Sequence, residues 1–355
     1  MSTIDRYLAT AMLGATGLIM LVLLGLAAFI NFVGQVDNVG EGSYTLLNAL
    51  GFVALNLPQQ AYEMLPVAAL LGALLGLGAL ASNSELIVLR ASGVSIWRLA
   101  RTVAITGGAL MLLAAALGEL IAPPAEQYAK RFRAQQLHKQ LSFTGGQSGW
   151  VKDGNVIVNI GAALSGAEDG GVRIYRFDDD GRIASVGTAA SAEVSASQNW
   201  LLGDYRESSF SAAGVATRNE RLATQRSDLN PDLLRLSVVD VDQLSGRRLA
   251  RYVSYLEHNQ LNSERYKIAL WARVASVVSV FMMAMLALPF VFGSLRTSGA
   301  GTRLVVGVLF GVAYYLASKT LASSGAVYGL NPVLTAFLPT LVLAVITLLM
   351  MVRLR

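Results

Sequence analysis

Six apolar stretches, each nearly free of charge, constrain this chain more than any other feature: Leu8–Ile30, Phe52–Ala81, Thr102–Ala122, Ile268–Gly293, Leu304–Ser323 and Pro332–Val352. A helix needs about 20 apolar residues to cross a hydrocarbon core of roughly 30 Å. In lipid the backbone must satisfy its own hydrogen bonds, so such stretches become helices. The first is too long for the h-region of a signal peptide and lacks a convincing small-x-small cleavage site, so it reads as a span. The second is interrupted by Pro58, Glu63 and Pro66. The third carries Glu119 near its end and is expected to stop at Pro123-Pro124.

Charged residues make up only 14% of the chain, against about 25% in soluble domains. The deficit is local. Residues 123–267 hold 18 of the 28 Lys+Arg, 17 of the 23 Asp+Glu and both histidines. They read as a water-soluble insertion between spans three and four, so the chain divides into 1–122, 123–267 and 268–355. Without Cys there is no disulfide framework or thiolate metal site. His138 and His258 lie far apart and outside any zinc-like spacing. The net charge of +5 does not point to nucleic acid, because much of the excess flanks the spans.

That flanking charge orients the chain. Arg6, Arg90, Arg98, Arg101, Arg296, Arg303, Arg353 and Arg355 fall on one side. The opposite short loops, 34–51 and 324–331, contain no Lys or Arg. The positive-inside rule then makes both termini cytoplasmic and the 123–267 insertion external, which is periplasmic in a Gram-negative cell. Within it, residues 143–237 read as β. Asn155–Ile160 and Val172–Phe177 alternate apolar and polar residues. Turn clusters at Gly145-Gly146, Asp153-Gly154, Asp178–Gly181 and Ser197–Asn199 separate the runs. A sandwich, a jelly roll or an open barrel fits this pattern. Asp242–Glu257 reads as an amphipathic helix. The acidic run Asp178–Asp180 lacks the ligand spacing of a calcium loop and reads as a hairpin turn.

The loop between spans two and three is the most informative. Ser82 or Ser84 is placed to cap a short helix whose dipole favours Glu85 in its first turn. Gly93 suits its end. Leu86, Val88 or Leu89, and Ala91 supply apolar contacts. Such a helix lies in the membrane interface or docks into a groove on a soluble partner. No nucleophile elbow and no phosphate-binding glycine loop occurs anywhere. Ser318-Lys319-Thr320 lacks the glycines of such a loop, so ATP hydrolysis has to come from another chain.

Leu65–Gly78 followed by Ser84–Gly93 resembles the signature of the lipopolysaccharide export permeases LptF and LptG. Asp5–Tyr7, Gly42–Tyr44, Ala122-Pro123, Tyr128–Gln135, Trp150–Asn155, Phe292-Gly293 with Leu295-Arg296, and Val327–Gly329 extend the resemblance in order along the chain. It implies a six-helix membrane bundle with an inserted periplasmic β-jellyroll, in the bacterial inner membrane. It also implies pairing with an LptF-like permease above a dimer of an LptB-like ATPase, which holds the ATP and Mg. Lipopolysaccharide would pass from a cavity at the dimer interface, through the jellyroll, to LptC/LptA-like jellyroll proteins. No cofactor is implied in this chain. The coupling helix would be about 84–95, with Glu85, Leu86, Leu89, Arg90 and Gly93 meeting the ATPase.

In that family spans one and five line the substrate cavity, which singles out Lys319 and Asn31; Phe310, Tyr314 and Tyr315 of span five read either as helix packing or as the lining of an acyl-chain cavity. Lys319 reads either as a snorkelling anchor or as a phosphate contact for lipid A. The lysines that some members carry after span one are replaced here by Asn31, Asp37 and Asn38. Lys130 and Arg133 match basic residues above span three and read as stalk charges or as guides for anionic sugar and phosphate. Gly72-x-x-x-Gly76 and Gly307-x-x-x-Gly311 allow close helix approach, at a dimer seam or inside one bundle. A periplasmic adaptor that only binds other proteins, or a permease for another lipid, is the rival reading.

Overall fold

The structure, a computed structural model, describes residues 3–137, 149–153, 155–162, 171–178, 180–194, 199–211, 214–226, 244–293 and 299–353. The chain packs as two units. Met1–Arg133, Ser245–Ala250 and Glu264–Arg355 form a helical unit, and Ala134–Leu244 with Arg251–Ser263 form a sheet unit.

The described helices are α1 (Thr3–Val36), α2 (Leu46–Ser82), α3 (Glu85–Ala91), α4 (Ile96–Ala116), α5 (Ala122–Gln136), α6 (Gly246–His258), α7 (Glu264–Phe292), α8 (Ala300–Tyr328) and α9 (Pro332–Val352). A π-helical turn, Leu117–Ile121, joins α4 to α5. Six helices are long and apolar enough to cross a membrane: α1, α2, the continuous rod from Ile96 to Arg133, α7, α8 and α9. Most overrun the apolar stretch that marks them, because a helix continues where its ends leave the hydrocarbon.

Helix α2 is the centre of the bundle, in contact with α1, α7 and α8, and α7 packs in turn on α4 and α9. Its most apolar window is 78% buried, against 11% for α8. The reason lies in its small residues. Gly72 and Gly76 face Thr16, Ala11 and Met12 of α1, so closely that a Cβ at Gly76 would lie 2.6 Å from the Ala11 carbonyl oxygen. Gly307 and Gly311 of α8 receive Leu71, Leu74 and Val67 of α2. Both glycine pairs therefore serve packing inside this chain. Helix association in lipid depends on such close approach, since apolar side chains gain little by leaving apolar lipid.

Helix α2 runs unbroken through Pro58 and Pro66, as the single span read from the sequence, because a backbone in lipid has no water to take up lost hydrogen bonds. One expectation about proline fails. The third span does not stop at Pro123-Pro124 but continues as α5. Proline lacks an N–H and crowds the preceding turn. The π turn just before it opens that turn, and the carbonyl of Gly118, five residues before Pro123, accepts Arg273 Nη1 of α7 at 3.3 Å instead.

Glu119 sits in the same π turn. Its carboxylate accepts the backbone N–H of Gly246 at 2.7 Å and of Arg247 at 3.1 Å, capping α6 from another helix. Loss of a helix cap costs about 0.5–2 kcal/mol. Glu119→Ala is therefore expected to loosen the first turn of α6, read as faster limited proteolysis at Arg247 or Arg248.

The described strands form one antiparallel sheet: β1 (Gly149–Asp153), β2 (Val156–Ala162), β3 (Gly171–Phe177), β4 (Ile183–Ala189), β5 (Ser191–Val194), β6 (Asn199–Ser211) and β7 (Gly214–Arg226). The order is β1-β2-β3-β4-β6, with β4 and β5 in succession along one edge of β6 and β7 along the other. Val158, Val172, Ile174, Ala189, Leu202, Tyr205 and Ala223 form its apolar cluster. Gly187 of β4 leaves room for the Tyr205 ring, which a Cβ there would meet at 2.6 Å. Burial pushes the Tyr205 hydroxyl pKa up. The two alternating runs read from sequence coincide with β2 and β3. Gly145-Gly146, Gly154 and Ser197-Gln198 lie outside the described residues. The acidic run is a hairpin turn between β3 and β4: Asp178 Oδ1 accepts the N–H of Asp180 and Arg182, and Gly181 takes φ +76°. In α6 the buried stripe is Leu249, Tyr252, Val253 and Leu256, at the helical spacing expected of an amphipathic helix.

Candidate functional site

The loop helix α3 is seven residues long, too short to hold itself together in isolation. Neither serine expected to cap it does so. Ser84 takes a left-handed backbone conformation, φ 61°, from which its side chain makes no capping hydrogen bond. Ser82 Oγ instead donates to the Gly78 carbonyl and accepts Arg303 Nη2 at 2.9 Å. The helix is held from outside. Tyr7 Oη of α1 donates to Glu85 Oε2 at 2.8 Å, and Asn83 Nδ2 reaches Glu85 Oε1 at 3.4 Å. Glu85 also places negative charge at the positive end of the helix dipole. Gly93, at φ +90°, ends the helix as expected, with the Val94 N–H returning to the Leu89 carbonyl.

The residues expected to meet an ATPase separate onto two faces. Leu86 is 2% exposed and Leu89 partly buried, both packed into the bundle core. Arg90 and Gly93 are exposed. Ile87, not among the expected contacts, and Val88, the expected alternative to Leu89, are exposed apolar residues on α3, and Trp97 is exposed in the first turn of α4. Their apolar character in a short loop was the available signal. The start of α4 is braced as well. Ser95 Oγ accepts the Arg98 N–H, and Asp5 Oδ1 of α1 accepts Thr102 Oγ1 at 2.9 Å with Arg98 Nε 4.0 Å away.

Arg303 was expected in a loop as an orienting charge. It lies inside α8 and is 2% exposed, among the most buried side chains described. Its chain occupies the space left by Gly78 of α2.

The span-five residues also separate. Phe310 packs edge-on against Phe290 of α7 at 5.1 Å, and Tyr314 shares a 3.1 Å hydrogen bond with Thr340 Oγ1 of α9. These two fill the bundle. Tyr315, 49% exposed, and Lys319 lie four residues apart on the outward face of α8. On α1, Asn31 is exposed and its amide donates to the Ala27 carbonyl at 3.0 Å. Leu18, Leu21, Val22, Leu26, Phe29 and Val33 form an exposed apolar face beside it. Lys130 pairs with Glu126 at 2.9 Å on α5. The Arg133 guanidinium stacks 5.4 Å over the Phe52 ring at the start of α2. Nearby Tyr44 is buried, and burial raises its hydroxyl pKa although the Arg133 charge opposes the shift.

Comparison with known proteins accounts for this arrangement. The model of the lipopolysaccharide export system permease LptF/LptG family matches residues 6–353. Lipopolysaccharide export system permease protein LptG of Escherichia coli (strain K12) is 35% identical over 352 residues, covering 99% of this chain and 98% of that protein. The protein of the same name from Haemophilus influenzae is 32% identical over 345 residues, covering 97% and 96%. The match takes in all six apolar helices, the braced loop helix and the inserted sheet, and the chain belongs to the lipopolysaccharide export system permease LptF/LptG family.

Proposed function

We propose that this chain is the transmembrane permease subunit of an ABC-type exporter that extracts lipopolysaccharide from the bacterial inner membrane. The observation that carries this reading is the full-length likeness to LptG proteins, with both chains covered almost end to end. On this reading the α3 end of the bundle and both termini are cytoplasmic, which the cluster of arginines at that end supports. The inserted sheet is then a periplasmic β-jellyroll; its antiparallel pairing and single apolar cluster support that assignment. The partners are an LptF-like permease against the exposed apolar faces of α1 and α8, an LptB-like ATPase dimer under α3, and LptC/LptA-like jellyroll proteins at the periplasmic sheet. ATP and Mg belong to the ATPase.

The ATPase contact consists of Glu85, Ile87, Val88 and Arg90, with Leu86 and Leu89 anchoring the helix and Gly93 ending it. Lipopolysaccharide meets the outward face of α8 at Tyr315 and Lys319, and α1 near Asn31. Lys130 and Arg133 supply positive charge for anionic sugar and phosphate. Phe310 and Tyr314 support the lining from behind. A photo-crosslinking residue at Tyr315 is expected to capture lipopolysaccharide in the purified complex, and one at Phe310 to capture far less. Equal labelling, or another lipid at Tyr315, refutes the substrate assignment. Lys319→Ala is expected to lower bound lipopolysaccharide by up to about fivefold, the size of an exposed ion pair worth about 1 kcal/mol. Unchanged binding removes Lys319 from the site.

A further inference from the structure

Two hydrogen bonds meet the four-residue connection Ser82–Glu85 from opposite sides. At one end Ser82 Oγ, on the last residue of α2, accepts Arg303 Nη2 from the first turn of α8. At the other end Glu85, the first residue of α3, accepts Tyr7 Oη from the start of α1. The connection between them is not slack. Ser84 holds a left-handed conformation that a non-glycine residue adopts at a cost, and the Asn83 N–H is tied to the Ala79 carbonyl and the Ser84 N–H to the Ala81 carbonyl.

We infer that Tyr7 and Arg303 are positioning residues through which a displacement of α3 is passed to α1 and α8, the two spans whose outward faces carry the proposed lipid contacts. The inference rests on the reading above that α3 is the helix an ATPase moves. Its physical basis is geometric. A hydrogen bond is lost within a few tenths of an ångström beyond its normal range, so a shift of Ser82–Glu85 either carries both helices along or breaks both bonds. The cost differs between them. Tyr7 donates to a charged acceptor but is 49% exposed, so water recovers part of what is lost. Arg303 is 2% exposed and packed against Gly78, so water replaces a lost partner there less readily. Helices are stiff rods, so a movement imposed at the first turn of α1 or α8 reaches Asn31, Tyr315 and Lys319 further along. Asp5, bonded to Thr102, ties α1 to the start of α4 and closes the frame around the loop.

The test uses the complex purified with its co-purifying ATPase in lipid vesicles, and reads lipopolysaccharide released per ATP hydrolysed. Tyr7→Phe and Ser82→Ala each remove a single hydroxyl. Each is expected to lower that ratio by about threefold or more, the weight of one lost hydrogen bond, with ATP hydrolysis kept within about twofold. The double variant is expected to lose about the product of the two, because the arms act on different spans. Ser82→Thr keeps the hydroxyl and is expected to keep the ratio. A purely structural role would lower protein yield and both activities together and leave the ratio unchanged, which overturns the inference. So does an unchanged ratio at normal activity. If no ATPase co-purifies, or if Glu85→Lys fails to release it, the docking reading falls and the linkage with it.

Discussion

Gly72→Leu is expected to remove most folded chain from detergent extracts of the membrane. A side chain at Gly72 would fall on Thr16 of α1, on its backbone as well as its hydroxyl, so turning the hydroxyl away would not relieve the clash. Helices α1 and α2 would have to separate along their whole contact. Overpacking of a tight interior costs about 1–3 kcal/mol and sometimes more. A backbone obstacle in the central helix belongs at the top of that range, a large share of a typical 5–15 kcal/mol stability. Gly25→Leu on α1 is the control, since nothing lies within 4 Å of a Cβ there. The measurement is the amount and thermal stability of the purified chain. Similar behaviour of the two variants would mean that α1 does not pack on α2 as described.

Glu85→Lys is expected to strip the ATPase from the purified complex while leaving the amount of membrane-embedded chain unchanged. Three effects act in the same direction. The substitution reverses a charge at the positive end of the α3 dipole. It removes the acceptor of Tyr7 Oη. It inverts the charge that the proposed dock offers its partner, and lost charge complementarity across an interface costs up to several kcal/mol. A loss of about 3 kcal/mol weakens binding roughly a hundredfold, enough to abolish co-purification. Glu85→Gln keeps the shape and an acceptor for Tyr7 and is expected to lie in between. Retention of the ATPase by Glu85→Lys would exclude α3 as its dock and favour the adaptor reading.

The placement of Arg303 shows where sequence reading reaches its limit. Along the chain it looks like any arginine beside a span, because a local window cannot tell a flanking charge from one paired to a residue 221 positions away. Ser82, Tyr7, Asp5 and Glu119 are alike in this respect: each has its partner on another helix. Leu86 and Val88 are equally apolar and only two residues apart, yet one is buried and the other 64% exposed. In a seven-residue helix the apolar period is too short to assign a face.

The sequence by itself determined the six apolar helices, the inserted β segment, the loop helix and the family. These follow from the solvent each residue type tolerates and from the spacing of near neighbours, both local properties. The tertiary structure alone decided that α2 is the centre, that both glycine pairs pack within one chain, and that the third span passes through its prolines. It also decided that α1 holds the loop helix and that α8 holds the end of α2 just before it. These depend on which distant side chain fills the space or takes the hydrogen bond, and only the folded chain brings such partners together.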